Sequence, residues 1–146
     1  MEAPRTSTNP KDLVGQTKVG LANIPASALF HLGVAMTEGK EKYGRLNWRV
    51  SAVQADIYFD AMMRHAWAWL DGQRTTGEGL NAHHLAHVMA CAAILIDGEE
   101  TGMLIDNRGE KGNLPELLSE LQQQIQTHLP ALLAQLKAKL QTPERK

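Results

Sequence analysis

Residues 83–97 read HHLAHVMACAAILID, and this stretch decides the fold class. From Val88 to Ile96 it is apolar on nearly every side when wound as a helix. A helix of that kind must be surrounded by others, because a one-sided apolar stripe is what a surface helix carries. At nine residues the apolar run is too short to span a bilayer. The reading therefore is a central helix over about 82–100, stopped by Gly102.

The flanking sequence supplies the neighbours. Pro25-Ala26-Ser27 is a plausible helix start, and Leu29, Leu32, Val34, Ala35 and Met36 suit a helix ending near Tyr43, before Gly44. Ser51 is a good N-cap for a second helix to Leu70, with Val53, Ile57, Ala61, Met62, His65 and Trp69 near one face. Residues 72–81, GQRTTGEGLN, form a polar glycine-rich loop, and 103–113 a loop or short extended piece. Leu114-Pro115 opens a Leu-rich helical segment in which Pro130 predicts a break or kink. Leu118, Leu121, Ile125 and Leu129 make one stripe before it; Leu132, Leu133, Leu136 and Leu140 make another after it. The expected fold is an all-α bundle of about four helices. An irregular arm occupies 1–24, the helical core 25–112, and a kinked C-terminal segment 113–146. The piece after Pro130 is expected to turn and pack on a second copy, giving a homo-oligomer, most simply a dimer.

Composition narrows the function classes. A net charge of −1 provides no broad electrostatic footprint for nucleic acid or membrane. One cysteine, Cys91, excludes an internal disulfide and a Cys-rich zinc site. No signal peptide is visible, so a cytoplasmic setting is expected, that of the host if the chain is phage-encoded.

Three clusters can carry chemistry. Glu38 and Glu41, one helical turn apart, can share a hard cation, while Lys42, Arg45 and Arg49 can meet phosphate oxygens. The same residues can equally be a solvated, mixed-charge helix end. Asp56, Tyr58, Asp60, Arg64, His65 and Asp71 lie on or just after the second helix, where the charges can form a surface ladder and His65 a hydrogen-bonded core residue. His84 and His87, one turn apart, can join His65 around a metal, or stay neutral and bond to purine edges or neighbouring side chains.

Four segments in order carry a resemblance: NPKDLVGQTKV (9–19), EKYGRLNWR (41–49), YFDAMMRHAWAWLDG (58–72) and HHLAHVMACAAILIDGEETGMLIDNR (83–108). Together they resemble a phage and prophage family of dATP/dGTP diphosphohydrolases, and more distantly the MazG-like all-α nucleotide pyrophosphohydrolases. The resemblance implies a purine nucleotide as substrate and Mg²⁺ or Mn²⁺ as cofactor, with release of pyrophosphate. Matching positions are Lys18, Tyr43, Asn47, Trp48, Arg49, Asp60, Arg64, His65, Asp71, His84, His87, Asp97, Asp106 and Arg108. On this basis Glu38, Glu41, Asp60 and Glu78 are the expected catalytic acids, the first three also as metal ligands. Lys18, Lys42, Tyr43, Arg45, Asn47, Trp48, Arg49, Arg64, His65, His84 and His87 are the expected substrate contacts. One departure stands out. Similar proteins carry an Asp-Pro-Asp/Glu-Ser-Gly type of loop where this chain has TTGEGLNAH (75–83), with Glu78 its one acid. If those acids hold metal, the alternative is a protein that binds nucleotide, or a host factor, without hydrolysis.

Overall fold

The structure is a computed structural model that describes residues 9–141; side chains of residues 140 and 141 are outside the description. Contacts divide the chain into two units, Met1–Arg108 and Gly109–Lys146. The first holds α1 (Pro10–Gly15), α2 (Ala26–Tyr43), α3 (Ala55–Leu70) and α4 (His84–Thr101). Two-residue strands β1 (Val53–Gln54) and β2 (Leu104–Ile105) pair in parallel. The second unit holds α5 (Leu114–Gln141). The fold is all-α. Among the described residues no helix is long and apolar enough to cross a membrane.

The central helix packs through its smallest side chains. Ala82, Ala86 and Ala90, just before and along α4, are buried together with Ala35 of α2, and Leu32, Met36 and Met89 close around them. Methyl groups at the crossing let the two helix backbones approach closely, so the larger side chains are displaced to the rim. Ala86 has no exposed surface at all. On its other side α4 packs along α3.

Three expectations need correction. The arm is less irregular than its composition suggests. Pro10–Gly15 is helical, with Asn9 capping by accepting from the Lys11 N–H at 3.0 Å, and Leu21–Asn23 forms a 3-10 turn. Residues 1–8 lie outside the described part. Ser51 does not cap α3, which begins three residues later than a Ser51 cap allows. The chain from 51 is instead drawn into the strand pair, where Val53 N–H donates to the Met103 carbonyl at 3.0 Å and the Asn107 side chain accepts from the Asp56 N–H at 3.1 Å. Asn107 thus satisfies one of the N–H groups left open at the start of α3.

The third correction concerns Pro130. The helix does not break there: α5 runs from Leu114 to Gln141 with Pro130 inside it. Proline forfeits one backbone donor at its own position, while a helix of 28 residues retains its hydrogen bonds on either side. The two leucine stripes are also one. Leu118, Leu121, Ile125, Leu129, Leu132 and Leu136 recur at spacings of three and four, so a continuous helix sets them along one face.

The alanine crossing generates a stability prediction. Ala86→Leu should destabilise the protein by about 1–3 kcal/mol, the usual cost of overpacking a tight site. Thermal unfolding checks it, and an unchanged Tm would show that the α2–α4 crossing is loose.

Candidate functional site

A cavity of about 530 Å³ opens between the C-terminal half of α2, the turn after it, and the facing sides of α3 and α4. The position of each wall follows from local sequence. Gly44, at φ 94°, ends α2 in a backbone region that favours glycine and turns the chain across the bundle. Leu46 also adopts a left-handed conformation, at φ 53°, and leads into a 3-10 turn at Asn47–Arg49. From α3 come Ile57, Tyr58 and Ala61, and from α4 come His87, Ala90, Cys91 and Ile94. These are i, i+3 and i+4 sets, hence single helix faces. Tyr43, Trp48 and Tyr58 make the wall aromatic, and Lys40, Arg45 and Asn47 add polar groups. Burial raises the Tyr58 hydroxyl pKa, keeping it protonated.

The turn is pinned by Asp97. Its carboxylate accepts from Trp48 Nε1 at 2.6 Å and from Arg49 Nε at 2.7 Å, and its second oxygen accepts from the other arm of the same guanidinium. The bidentate pair and the indole bond hold the Asp97 carboxyl at about pKa 2, with Arg49 the larger cause. Arg49 was expected at a phosphate; its Nε and one terminal nitrogen are instead engaged with Asp97. Trp48 is buried, its indole at once a wall of the cavity and a tether to α4.

Glu38 is buried at 6% exposure and has both oxygens occupied. One accepts from Lys42 and the other from the Leu80 N–H at 3.3 Å, and the Lys42 bond is the main cause of its lowered pKa. The same carboxylate explains Gly79, where an added Cβ would lie 2.7 Å from Glu38 Oε1 in a backbone with φ +59°. Glu38 and Lys42 thereby fasten the glycine-rich loop to α2. Glu41 is exposed and paired with Lys40 at 2.9 Å, and Asp60 and Glu78 are exposed. None of these four acids lines the cavity. Among the described residues no group of three or more His, Cys, Asp or Glu is arranged to hold a metal ion.

Of the expected substrate contacts, Tyr43, Arg45, Asn47, Trp48 and His87 come together in the cavity wall. Arg45 has no ion pair among the described residues, which leaves its guanidinium available. Lys18 is exposed after α1 and Arg64 is exposed on α3. Asp71 caps α3, while Asp106 and Arg108 pair with each other at 2.7 Å. Lys40 and Tyr58, members of the first two sequence clusters without an assigned substrate contact, join the wall, as does Cys91. The helical spacing of His87, Cys91 and Ile94, and of Tyr58 and Ala61, is the signal that would have found these faces.

Behind the wall the histidines form a cluster. His65 Nδ1 and His84 Nδ1 are 2.9 Å apart, so one ring donates to the other, and the His65 and His87 rings stack at 4.4 Å. His84 Nε2 and His87 Nε2 are buried without a hydrogen-bond partner among the described residues. Burial, assisted by the neighbouring imidazoles His87 and His84, pushes His65 down to about 4. Burial also lowers His83 and His87. A hydrogen bond between the two rings requires one of these nitrogens to be unprotonated, as in a neutral imidazole.

Two measurements follow. In the unfolded chain His65, His83 and His87 titrate near 6.5. As pH falls from about 6.5 toward 4 the unfolded state takes up protons that the folded state refuses. Stability present above pH 6.5 is therefore lost across that window. Tm should drop by about 5–10 °C between pH 7.5 and 5, and a flat profile would contradict a buried neutral cluster. Asp97→Ala should release Trp48, seen as red-shifted emission and increased quenching by acrylamide in a protein that keeps its helical circular dichroism. An unshifted spectrum would show that the turn is held by other contacts.

A family model described as dATP/dGTP diphosphohydrolase, N-terminal, matches residues 8–108, which contain the cavity, the Asp97 tether and the histidine cluster. No curated protein and no solved structure matches the chain. The match spans more than half of the chain and agrees with the four motif segments and with the all-α fold, so the protein belongs to the family of dATP/dGTP diphosphohydrolase N-terminal domains.

Proposed function

We propose that the cavity binds a purine deoxynucleoside triphosphate and that the protein hydrolyses it to the monophosphate and pyrophosphate. The observation that carries the reading is the composition of one wall: three aromatic side chains beside an available guanidinium, in a space of about 530 Å³. Aromatic faces suit a purine ring, and an arginine suits phosphate oxygens bidentately. Tyr43, Trp48 and Tyr58 would flank the base, and Arg45 and Lys40 would neutralise the phosphates. Water attack at the α-phosphorus would break its bond to the bridging oxygen, and pyrophosphate would leave. A divalent ion, Mg²⁺ or Mn²⁺, would come bound to the triphosphate's own oxygens and offset their charge, since Mg²⁺ favours one or two carboxylates plus substrate phosphates over an all-protein cage. Glu41, exposed on the helix that supplies Lys40, is the acid best placed to be recruited.

A second reading has an observation of its own. With Glu38 occupied by Lys42 and Leu80, and no acid in the cavity wall, the same site can retain a nucleotide without turning it over. The two readings share a pocket and differ in products.

Incubation with each of the four deoxynucleoside triphosphates plus Mg²⁺ or Mn²⁺, with products separated by ion-exchange chromatography, decides between them. Purine-selective formation of monophosphate and pyrophosphate is the expected result. Intact, retained nucleotide would support the binder, and neither would remove the pocket assignment. Arg45→Ala should weaken binding by about 1.5–3 kcal/mol, the range for hydrogen bonds to charged groups. Calorimetry measures it, and an unchanged Kd would take Arg45 out of the site.

A further inference from the structure

We propose that α5 is a self-association element that pairs antiparallel with α5 of a second copy of this chain. The inference does not depend on what the cavity binds, since α5 lies beyond the residues the family model matches and in the second unit.

The first observation is the face itself. Leu118, Leu121, Ile125, Leu129, Leu132 and Leu136 form one continuous stripe and are each between 43% and 58% exposed. Six large aliphatic side chains aligned on one helix form a contiguous apolar surface of the kind that marks an interaction site. Their spacing of three, four and four residues is the eleven-residue repeat of helices that pack side by side over many turns.

Charge identifies the occupant. Glu116 and Glu120 lie in the first two turns, Lys137 and Lys139 near the end, and residues 121–136 carry no Asp, Glu, Lys or Arg. A parallel neighbour would set acidic end against acidic end and basic against basic. An antiparallel copy sets each acidic end beside a basic one. Placing the two-fold axis between His128 and Leu129 faces Leu121 with the partner subunit's Leu136, and Ile125 with the partner subunit's Leu132. Glu120 then lies level with the partner subunit's Lys137. Two apolar pairs and the Glu120–Lys137 pair thus fall in register on one axis, as an isologous contact requires.

Sedimentation equilibrium on the full chain at tens of micromolar should give the mass of two chains. Ile125→Asp with Leu132→Asp should give one. The milder pair Ile125→Ala with Leu132→Ala should retain helical circular dichroism and raise the dimer dissociation constant at least about tenfold. Lys137→Glu with Lys139→Glu should weaken the dimer about tenfold at low salt, as several lost surface pairs do together. Adding Glu116→Lys and Glu120→Lys to that variant should restore it. A monomeric full chain, or a dimer indifferent to Ile125 and Leu132, would overturn the proposal. A dimer sensitive to those two but indifferent to the charge reversals would overturn the antiparallel arrangement.

Discussion

The close approach of α4 to α2 through alanine is the constraint on which the rest of the first unit depends. Ala35 of α2 is buried with Ala82, Ala86 and Ala90, and Leu32, Met36 and Met89 pack around these four. With that face committed to α2, the other faces of α4 meet α3 and the cavity. His87, Cys91 and Ile94 reach the cavity wall because the alanine face fixes the rotation of the helix about its own axis. The same rotation presents Asp97, ten residues beyond His87, to the turn that closes the other side.

Asp97 then converts a helix surface into a pocket. The turn at Asn47–Arg49 follows a left-handed Leu46, a conformation that costs roughly 1–3 kcal/mol for a residue with a Cβ and persists where surroundings enforce it. The enforcing contacts are the three hydrogen bonds from Trp48 and Arg49 to one carboxylate. Glu38 does the equivalent for the glycine-rich loop, pairing with Lys42 and accepting from the Leu80 N–H. Two acids that look available for chemistry in one dimension are thus spent on holding loops, and Lys40, Arg45 and Asn47 are among the polar groups at the cavity.

How far the sequence reveals this depends on the range of the interaction. The helices at 26–43 and 84–101 were legible because glycine stops and apolar periodicity are local. The start of α3 was not, since the residues after Ser51 are claimed by a strand partner about fifty positions away, which no capping preference encodes. Pro130 misled for the opposite reason: a local rule predicted a break, but a long helix absorbs one missing donor, and two stripes read as separate are continuous. Tyr43, Arg45, Asn47, Trp48 and His87, which the sequence motifs single out, line one cavity because the turn at 44–49 and one face of α4 converge there. That Arg49 would be committed to Asp97 was not legible, because a guanidinium suited to phosphate is equally suited to a carboxylate and sequence does not say which it meets.

The central claim is that the aromatic cavity takes a purine deoxynucleotide, and Trp48 reports on it directly because it forms part of the wall. Replacing the exposed Trp67 and Trp69 by phenylalanine leaves Trp48 as the one indole of the chain. Titration of that variant with the Mg²⁺ complexes of non-hydrolysable α,β-methylene analogues of dATP and dGTP should give saturable quenching that the matching dCTP and dTTP analogues do not reproduce. Emission unchanged by either purine nucleotide at millimolar concentration would contradict the account.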